Sequence, residues 1–427
     1  MLDGMQPGDL IDLEVTGVAH GGVFVGRHEG RVVFVPDALP GERVRVRLTE
    51  TGHASFWRGE ALEVLEASSH RRPHVWPAAD IGVAPEDRPG GADFGHADLA
   101  YQRELKLDVL RDALRRIGGL DLPATVGPVS GDDQGGGLRW RTRVSLHVDD
   151  DGAVGPYAAR SHRVIAVGDL PLATAAIEEA ARGLRADRPG RIDLVQPADG
   201  RVRILPRPDR RPRRSQPGRD PAREVVVERV GDRAFAVDAG GFWQVHRGAA
   251  PTLSAMVASA LREHGVDPDA AHLDLYGGVG LFAAAIAEAG GRATRVTSVE
   301  SDPRATEHAG ENLADWVGAR AETARVDRWI RALLATAGGG ERDRLRHGTV
   351  VLDPPRSGAG REVVDALVEV APAHIVYVAC DPAALARDLK TFRDGGYEAA
   401  AIAGVDLFPH SHHVEAVASL TRAHSAR

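Results

Sequence analysis

The N-terminal 66 residues alternate apolar and polar side chains in short runs that glycines separate. Each run has the period of two that is typical of a half-buried strand, and the runs read IDLEVTGVA, GGVFVGR, GRVVFVP, GERVRVRLTE and SFWRGEALEVLE. Short strands in such close succession predict a small β-barrel of the oligonucleotide-binding type over residues 1–66. Barrels of this size also serve as general adaptor modules, so the pattern alone assigns no function.

The pattern becomes mixed between residues 67 and 240. Residues 67–97 are rich in Pro, Gly, His and Asp, and leucines at helical spacing follow until Gly118 and Gly119 end the helix. Strand-like alternation returns in GLRWRTRVSLHV and in VVVERVGDRAFAV. These segments predict a central α+β lobe over residues 67–240, whose helix at about 98–118 packs on the domain that follows.

From residue 241 to residue 427, apolar strands alternate with helices. The predicted strands HLDLY, RVTSVE, GTVVLDPP and HIVYVAC form a pattern that is typical of a parallel, doubly wound α/β sheet. Two later apolar runs, AIAGVDLF and VEAVASLTR, predict strands that are added at one edge. The chain is therefore predicted to be an α/β protein of three domains, at residues 1–66, 67–240 and 241–427.

Composition narrows the classes of protein that fit. The chain has 427 residues and a single cysteine, which excludes an intramolecular disulfide and leaves no thiolate cluster for zinc or for an iron–sulfur centre. The sequence shows no secretory signal and no apolar run long enough to span a bilayer. We therefore expect a cytoplasmic protein with no membrane partner, and we expect it to be a monomer.

Local charge differs from the total charge. The formal net charge of −8 argues against a general nucleic-acid binder. Residues 201–223 nevertheless hold nine arginines and two aspartates, and the predicted strand in GLRWRTRVSLHV places three arginines on one face, Arg139, Arg141 and Arg143. Each cluster is typical either of a solvated surface or of a track for RNA phosphates. The sequence leaves both interpretations open.

The first strand of the C-terminal domain leads into a turn that favours a nucleotide-like cofactor. The stretch HLDLYGGVGLFAAAIAEAG predicts a strand, a tight turn and a helix, and the turn holds Gly277, Gly278 and Gly280. Such a turn serves both dinucleotides and S-adenosylmethionine. Glu300 ends the next strand, where its carboxylate can accept hydrogen bonds from both ribose hydroxyls, and Asp274 lies at the end of the first strand. Asp353 in VVLDPPRSGAG adds a third strand end, and together these features favour S-adenosylmethionine over NAD.

A cysteine and a carboxylate complete this edge of the predicted sheet. Cys380, in YVACDPAALARDL, ends a strand, and open parallel sheets bind ligands at such strand ends. Glu415, in FPHSHHVEAVASL, directly precedes another apolar run. The C5 carbon of uracil is too weakly nucleophilic to attack a methyl donor, but a thiolate that adds to C6 converts the ring to a reactive enolate. A base must then remove the C5 proton before the cysteine can leave.

Each of these residues also has an ordinary structural interpretation. A lone cysteine is commonly a small buried apolar side chain, and a glutamate beside a strand is commonly a surface charge. The histidines His410, His412 and His413 indicate a loop that supports Glu415 rather than a metal site, because no thiol or acidic partners are spaced to complete one.

The motifs, taken in order, resemble those of the uridine-5 RNA methyltransferases that carry an N-terminal TRAM domain. They are GGFWQVH, LDLYGGVGLF, VLDPPRSG, YVACDPAALARDL and FPHSHHVE. The resemblance implies a Rossmann-like class I S-adenosylmethionine-dependent methyltransferase domain, an OB-like TRAM barrel and a central RNA-binding lobe. It implies Cys380 as the nucleophile and Glu415 as the general base. It also implies cofactor contacts from Gln244, Tyr276, Glu300, Asp353 and the glycine turn, and it places Phe242 and Arg356 against the RNA.

The chain also departs from this family. Many ribosomal-RNA members carry a four-cysteine iron–sulfur cluster in the central lobe, whereas the corresponding stretches here, PHVWPAADIGVAPEDRPGGADFGHADLAYQ and VGDLPLA, hold no cysteine. We therefore expect neither an iron–sulfur cluster nor any other metal. Leu281 stands where the family often has Asn after the glycine turn, so one polar contact to the cofactor is missing or comes from the backbone.

The expected function is S-adenosylmethionine-dependent C5-methylation of a uridine in structured RNA. The sequence does not decide between ribosomal RNA and tRNA. Two alternatives stay open: an amino-group methyltransferase of nucleic acid or protein, and a catalytically inactive RNA-binding or assembly factor. Because the reaction needs a thiolate, we expect the pKa of Cys380 to lie below the ordinary value of about 8.5.

Overall fold

The N-terminal region forms a closed five-stranded barrel, as the period-two pattern predicts. A computed structural model describes residues 5–209 and 220–423. The barrel closes in the order β1-β2-β3-β5-β4, and Leu13, Phe24 and Val33 lie in its core. Its strands are β1 (Leu10–Ala19), β2 (Val23–His28), β3 (Arg31–Val35), β4 (Arg43–Glu50) and β5 (Phe56–Glu66).

The central region combines one long helix with two small antiparallel sheets. Helix α1 (Leu99–Ala113) begins at Asp98, whose side chain accepts a hydrogen bond from the Tyr101 N–H, and a single π-helical turn over Leu114–Gly118 extends it. One sheet has the order β10-β9-β7-β8, and β11 pairs with β12. The elements after α1 are β6 (Ala124–Pro128), β7 (Arg143–Val148), β8 (Val154–Gly155), α2 (Ala175–Ala181), β9 (Gly190–Val195), β10 (Arg203–Pro208), β11 (Val225–Val230) and β12 (Arg233–Asp238).

The C-terminal region contains the doubly wound sheet that the alternation of strands and helices predicts. Its elements are α3 (Ala249–His264), β13 (Ala271–Leu275), α4 (Leu281–Gly290), β14 (Arg295–Glu300), α5 (Pro303–Asn312), β15 (Ala319–Thr323), α6 (Val326–Thr336), α7 (Gly339–Arg346), β16 (Thr349–Leu352), α8 (Arg361–Val370), β17 (His374–Ala379), α9 (Pro382–Asp394), β18 (Tyr397–Asp406) and β19 (Glu415–Arg422). The strand order is β15-β14-β13-β16-β17-β19-β18-β6, and β19 alone runs antiparallel to both of its neighbours. Helices cover both faces, since Val351 packs with α3 and α4 while Leu352 packs with α8 and α9.

The edge of this sheet comes from the middle of the sequence. Strand β6 pairs in parallel with β18, and α1 lies against α9. Gly118 approaches α9 so closely that a Cβ there would lie 3.1 Å from the carbonyl oxygen of Ala386. Helix α1 and the turn that extends it therefore contact a helix of the C-terminal region. The domain boundaries themselves stay a prediction, because residues between 67 and 240 contribute a strand to the large sheet.

Two sequence expectations concern particular segments. Part of the arginine-rich stretch at 201–223, namely residues 210–219, lies outside the described residues. Within the ranges that the structure describes, no helix combines the length and the apolar character needed to cross a membrane.

Candidate active site

The register of the C-terminal strands brings Cys380 and Glu415 together. Strands β17 and β19 are antiparallel, and Ala379 at the end of β17 pairs with Ala416 in β19. The ladder ends at this pair, and its register, continued by one residue, sets Cys380 opposite Glu415, which begins β19. The two side chains are close enough for the charge of Glu415 to act on the thiol. Glu415 is 4 % exposed and Cys380 is partly buried, so the two groups meet in a place that water reaches poorly.

Burial and neighbouring carboxylates dominate the electrostatics of this pair. Desolvation raises the pKa of Glu415 well above its ordinary value, Asp353 raises it further, and Arg356 acts in the opposite direction. Burial, with Glu415 and Asp353 beside the thiol, raises the pKa of Cys380 to about 12. The expectation of a lowered cysteine pKa is therefore wrong for the protein alone, because burial of the thiol, which the local sequence does not show, is the largest cause of the shift and the two carboxyl groups add to it.

A rigid loop after β16 carries Asp353 and Arg356 to the same place. The buried side chain of Asp388 in α9 anchors this loop by accepting hydrogen bonds from the Tyr377 hydroxyl at 2.7 Å and from the Ala359 N–H at 2.8 Å. Burial and the neighbouring Asp274 raise the pKa of Asp353. Asp388 belongs to the conspicuous stretch ALARDL, so its anchoring role explains part of that motif.

A cavity of about 80 Å³ borders Cys380. The barrel contributes the turn 19–22, the central region contributes Phe94, and the C-terminal region contributes Arg356 and His413. Three parts of the chain thus meet at the candidate nucleophile. Arg356, which the resemblance places against RNA, lies in this wall.

The loop between β18 and β19 positions Glu415, and residues of α1 hold that loop. The Gln102 side-chain oxygen accepts a hydrogen bond from the His410 N–H at 2.7 Å. The ammonium group of Lys106 lies 2.5 Å from Asp406 Oδ1 at the end of β18, and both side chains are buried. A helix that is distant in sequence therefore determines where the candidate base begins its strand.

The histidines of this loop make structural contacts. His412 Nδ1 lies 2.7 Å from Asp93 Oδ2, and His410 Nε2 lies 2.8 Å from the carbonyl oxygen of Gly136. Burial lowers the pKa of His413 to about 3, so this ring is neutral at physiological pH. In residues 5–209 and 220–423, no group of three or more His, Cys, Asp or Glu side chains is arranged to hold a metal ion.

The glycine turn between β13 and α4 is tightly built around a buried carboxyl group. Asp274 Oδ2 accepts hydrogen bonds from the Ala283 N–H at 3.0 Å and from the Ser298 hydroxyl at 3.2 Å. At Gly277, a Cβ would lie only 2.0 Å from Ser298 Oγ, and Gly280 has a φ of +90°. Asp274 Oδ1 is buried without a hydrogen-bond partner among the described residues, and burial raises the pKa of Asp274 to about 7.

Glu300 and Tyr276 flank the same turn. Glu300 Oε2 accepts a hydrogen bond from the Gly278 N–H at 3.2 Å, so the second strand end is tied to the glycine turn. Tyr276 adopts a left-handed backbone with a φ of 63°. Burial, followed by the nearby Asp327, raises the pKa of Tyr276 to about 12. The structure thus brings together Tyr276, the glycines and Glu300, and their contact with a cofactor stays a prediction.

Gln244 and Phe242 lie apart from this turn. Gln244 lines a second, larger cavity of about 500 Å³ together with Arg139 and Arg247. Phe242 is 72 % exposed, which makes its ring available to a partner. The glycine turn contributes none of the described residues that line the second cavity, so the predicted cofactor contact of Gln244 stays a prediction.

The predicted arginine stripe does not form. Strand β7 begins only at Arg143, and Arg139 has a left-handed backbone with a φ of 59°, so strand alternation does not apply to these residues. Arg143 forms a buried ion pair with Glu228 at 3.1 Å, and the Arg141 Nε donates to the Arg143 carbonyl oxygen at 3.1 Å. The prediction that the three arginines share one strand face is therefore wrong, because the strand does not extend to Arg139 and Arg143 is held in a buried ion pair. Their contact with RNA stays a prediction.

Sequence reasoning missed two residues of the site. His20, in the barrel, contacts Asp381, which directly follows Cys380, and their ring nitrogen and carboxylate oxygen lie 2.9 Å apart. No local pattern could have found this contact, because the two residues are 361 positions apart. The sequence shows Asp381 directly after Cys380, but it does not show that Asp381 contacts the barrel.

Comparison with known proteins places these features in context. The TRAM domain family matches residues 5–62, and the tRNA (Uracil-5-)-methyltransferase family matches residues 254–423. An RNA methyltransferase of Streptomyces avermitilis is 40% identical, over 97% of this chain and 98% of the relative. The 23S rRNA (uracil(1939)-C(5))-methyltransferase of Halomonas elongata is 30% identical, over 97% of this chain and 90% of that protein.

A solved structure shares the whole architecture. The tRNA (uracil-54, C5)-methyltransferase of Pyrococcus abyssi, in complex with S-adenosyl-L-homocysteine, superimposes with a TM-score of 0.64 at 22% sequence identity. The match covers 96% of this chain and 100% of that structure. At this identity the likeness shows the fold, and the fold agrees with the predicted combination of barrel, central lobe and methyltransferase domain.

Proposed function

The chain belongs to the uracil-5 RNA methyltransferase family, and on that basis we propose that it methylates C5 of a uridine in structured RNA through a covalent bond from Cys380 to the uridine C6 carbon. Family membership makes the chain an S-adenosylmethionine-dependent RNA (uracil-5-)methyltransferase. The proposal adds the chemical route and the residues that carry it.

Cys380 is the proposed nucleophile. Its sulfur bonds to C6 of the uracil ring, which turns the C5–C6 double bond into an enolate with a nucleophilic C5 carbon. With a pKa of about 12, the thiol is ionised to only about 10⁻⁵ at pH 7. Addition therefore has to be coupled to transfer of the thiol proton to a neighbouring base. Glu415 and Asp353 are the carboxyl groups whose charges act on the sulfur. Because Glu415 has to remain ionised for the C5 proton, Asp353 is the proposed acceptor of the thiol proton.

Glu415 is the proposed acceptor of the C5 proton. After C5 has gained its methyl group, removal of its proton restores the C5–C6 double bond and expels the Cys380 sulfur. Burial raises the pKa of Glu415, which makes it a stronger base than an exposed carboxylate. Its position opposite Cys380 on the β17–β19 ladder supports this role.

The glycine turn fits S-adenosylmethionine. The unpartnered Asp274 Oδ1 suits the ammonium group of its methionine portion, and Glu300 at the end of β14 suits its ribose hydroxyls. Tyr276, Gly277, Gly278, Gly280 and Asp353 complete the proposed contacts. When bound, the cofactor supplies an electrophilic methyl group on a sulfonium.

The proposed substrate is a uridine that leaves its base stack. A stacked base cannot reach a sulfur inside the protein, so we propose that the base is rotated out and that the barrel and central lobe hold the neighbouring nucleotides. The Halomonas relative is named for 23S rRNA, which makes ribosomal RNA the first candidate and tRNA the second. Mapping 5-methyluridine by mass spectrometry in cells that lack the protein decides between them.

The juxtaposition of Cys380 and Glu415 carries the proposal, and substitution of the cysteine tests it. Cys380→Ala is expected to abolish methyl transfer to RNA while the dissociation constants for RNA and S-adenosylmethionine stay within about twofold of wild type, since the sulfur acts only on the reacting ring. Cys380→Ser, which keeps the shape of the side chain, is the matched control and is expected to be equally inactive. Full activity of Cys380→Ala refutes the covalent route and favours amino-group methylation.

A further inference from the structure

The barrel reaches the candidate active site through one turn. Residues 19–22 join β1 to β2, and this turn lines the cavity that borders Cys380. The same cavity contains Asp381, which directly follows the cysteine and begins helix α9. The barrel therefore lines the cavity beside the candidate nucleophile, which binding of distant nucleotides alone does not require.

Two contacts hold the turn in place. His20 Nε2 lies 2.9 Å from Asp381 Oδ2, while Asp381 Oδ1 accepts a hydrogen bond from the Ala384 N–H at 2.8 Å. Both carboxylate oxygens are thus engaged. On the other side, Gly22 packs against His412 so closely that a Cβ there would lie 2.8 Å from the His412 ring. The turn is held between the residue after Cys380 and the loop that precedes Glu415.

Resting on the proposed function, we propose that the turn 19–22 is a wall of the uridine pocket and that His20 is a positioning residue that holds this wall closed. The cavity measures about 80 Å³, so movement of one wall changes the space beside the thiol substantially. The Asp381 carboxylate accepts a hydrogen bond from the His20 ring and raises the pKa of His20, and the contact is stronger when the ring is protonated. The barrel then contributes to catalysis as well as to RNA affinity.

The single cysteine makes the wall measurable without any methyl transfer. Cys380 reacts as its thiolate with both a small reagent, methyl methanethiosulfonate, and a bulkier one, N-ethylmaleimide. The ratio of the two rate constants cancels the ionised fraction and reports access alone. In His20→Ala this ratio is expected to rise about threefold in favour of the bulkier reagent, because the His20 side chain is 55% exposed and an exposed contact of this kind shifts the closed state by only about that factor.

Two further variants separate the contact from general damage. His20→Gln keeps an N–H donor at a similar reach, so its reagent ratio is expected to match the wild type. His53→Ala removes another exposed barrel histidine, which contacts Glu50 at 2.8 Å, and it is expected to leave the ratio unchanged. An unchanged reagent ratio in His20→Ala overturns the proposal that His20 holds the turn 19–22 as a wall of the cavity.

Methyl transfer tests the positioning role. In single turnovers at saturating RNA, His20→Ala is expected to slow methyl transfer about threefold, the size of an exposed contact, while its dissociation constant for RNA stays within about 1.5-fold. If His20 serves RNA affinity alone, the variant binds RNA more weakly but transfers the methyl group at the wild-type rate once RNA is saturating. That result overturns the positioning role. If the wild type transfers no methyl group to RNA but the reagent ratio still rises in His20→Ala, the proposed function is wrong, whereas the role of the turn 19–22 as a wall of the cavity is supported.

Discussion

The buried ion pair between Lys106 and Asp406 makes a quantitative prediction about stability. The pair joins α1 to the end of β18, its N–O distance is 2.5 Å, and the two side chains are 0% and 1% exposed. Lys106 also donates to the Phe408 carbonyl oxygen at 3.0 Å. Asp406 Oδ2 has no hydrogen-bond partner among the described residues, so the carboxylate depends heavily on this lysine.

Lys106→Met keeps an unbranched side chain of similar length and removes the charge. The variant leaves Asp406 buried without its cation, and breaking a buried pair in this way costs about 3–5 kcal/mol of unfolding free energy. The double variant Lys106→Met with Asp406→Val removes both charges. It is expected to lie within about 1 kcal/mol of wild type, since two apolar side chains replace a buried pair without large loss.

Urea unfolding followed by tryptophan fluorescence measures these differences. Arg116→Met is the matched control, because Arg116 and Asp112 form an exposed pair at the end of the same helix and such pairs contribute about 0.5 kcal/mol or less. The reasoning is refuted if Lys106→Met loses less than about 1 kcal/mol, or if the double variant is no more stable than the single one.

Three other predictions concern the site. The rate of alkylation of Cys380 by iodoacetamide, followed by intact-protein mass, is expected to rise about tenfold per pH unit from about pH 7 to 9, because burial raises the thiol pKa to about 12. A rate that reaches a plateau below about pH 9 contradicts this expectation. Gly277→Ala is expected to weaken S-adenosylmethionine binding, measured by calorimetry, at least about tenfold, because its Cβ would displace Ser298. Gly339→Ala is the control, since a Cβ there meets open space, and it is expected to leave the affinity unchanged. Equal affinities of the two variants contradict this prediction. Arg143→Gln is expected to destabilise the fold by about 1–3 kcal/mol, because Glu228 loses its partner. The salt dependence of RNA binding is expected to stay unchanged, and a shallower salt dependence would show that Arg143 contacts the RNA phosphates.

Sequence reasoning succeeded where structure follows from local pattern. The barrel strands and the C-terminal alternation are periodic over several residues, and the turn YGGVG needs glycine because a Cβ at Gly277 would collide with Ser298. The positions of Cys380 and Asp353 directly after buried parallel strands follow from the same alternation, and their roles stay a prediction that rests on the rule that parallel sheets bind ligands at their carboxyl edge. These features need no knowledge of distant contacts.

The remaining features depend on contacts between distant parts of the chain. Strand β6 spans only Ala124–Pro128 and is recognisable as an edge strand only from its pairing with β18. The alternation through Arg139 and Arg143 suggested a strand, but a left-handed residue interrupts it. The pKa of Cys380 depends first on burial and then on the carboxyl groups of Glu415 and Asp353, which come from other elements. The contact of His20 with Asp381 links opposite ends of the sequence.

The most direct test of the account is the covalent bond between Cys380 and RNA. Glu415→Gln keeps the shape of the side chain but removes the base, so release of the methylated ring is expected to slow about 10²–10⁴-fold. After incubation with S-adenosylmethionine and substrate RNA, denaturation and digestion, mass spectrometry is expected to find the Cys380 peptide bonded to a methylated uridine. Wild-type turnover of Glu415→Gln with no such peptide contradicts the covalent route.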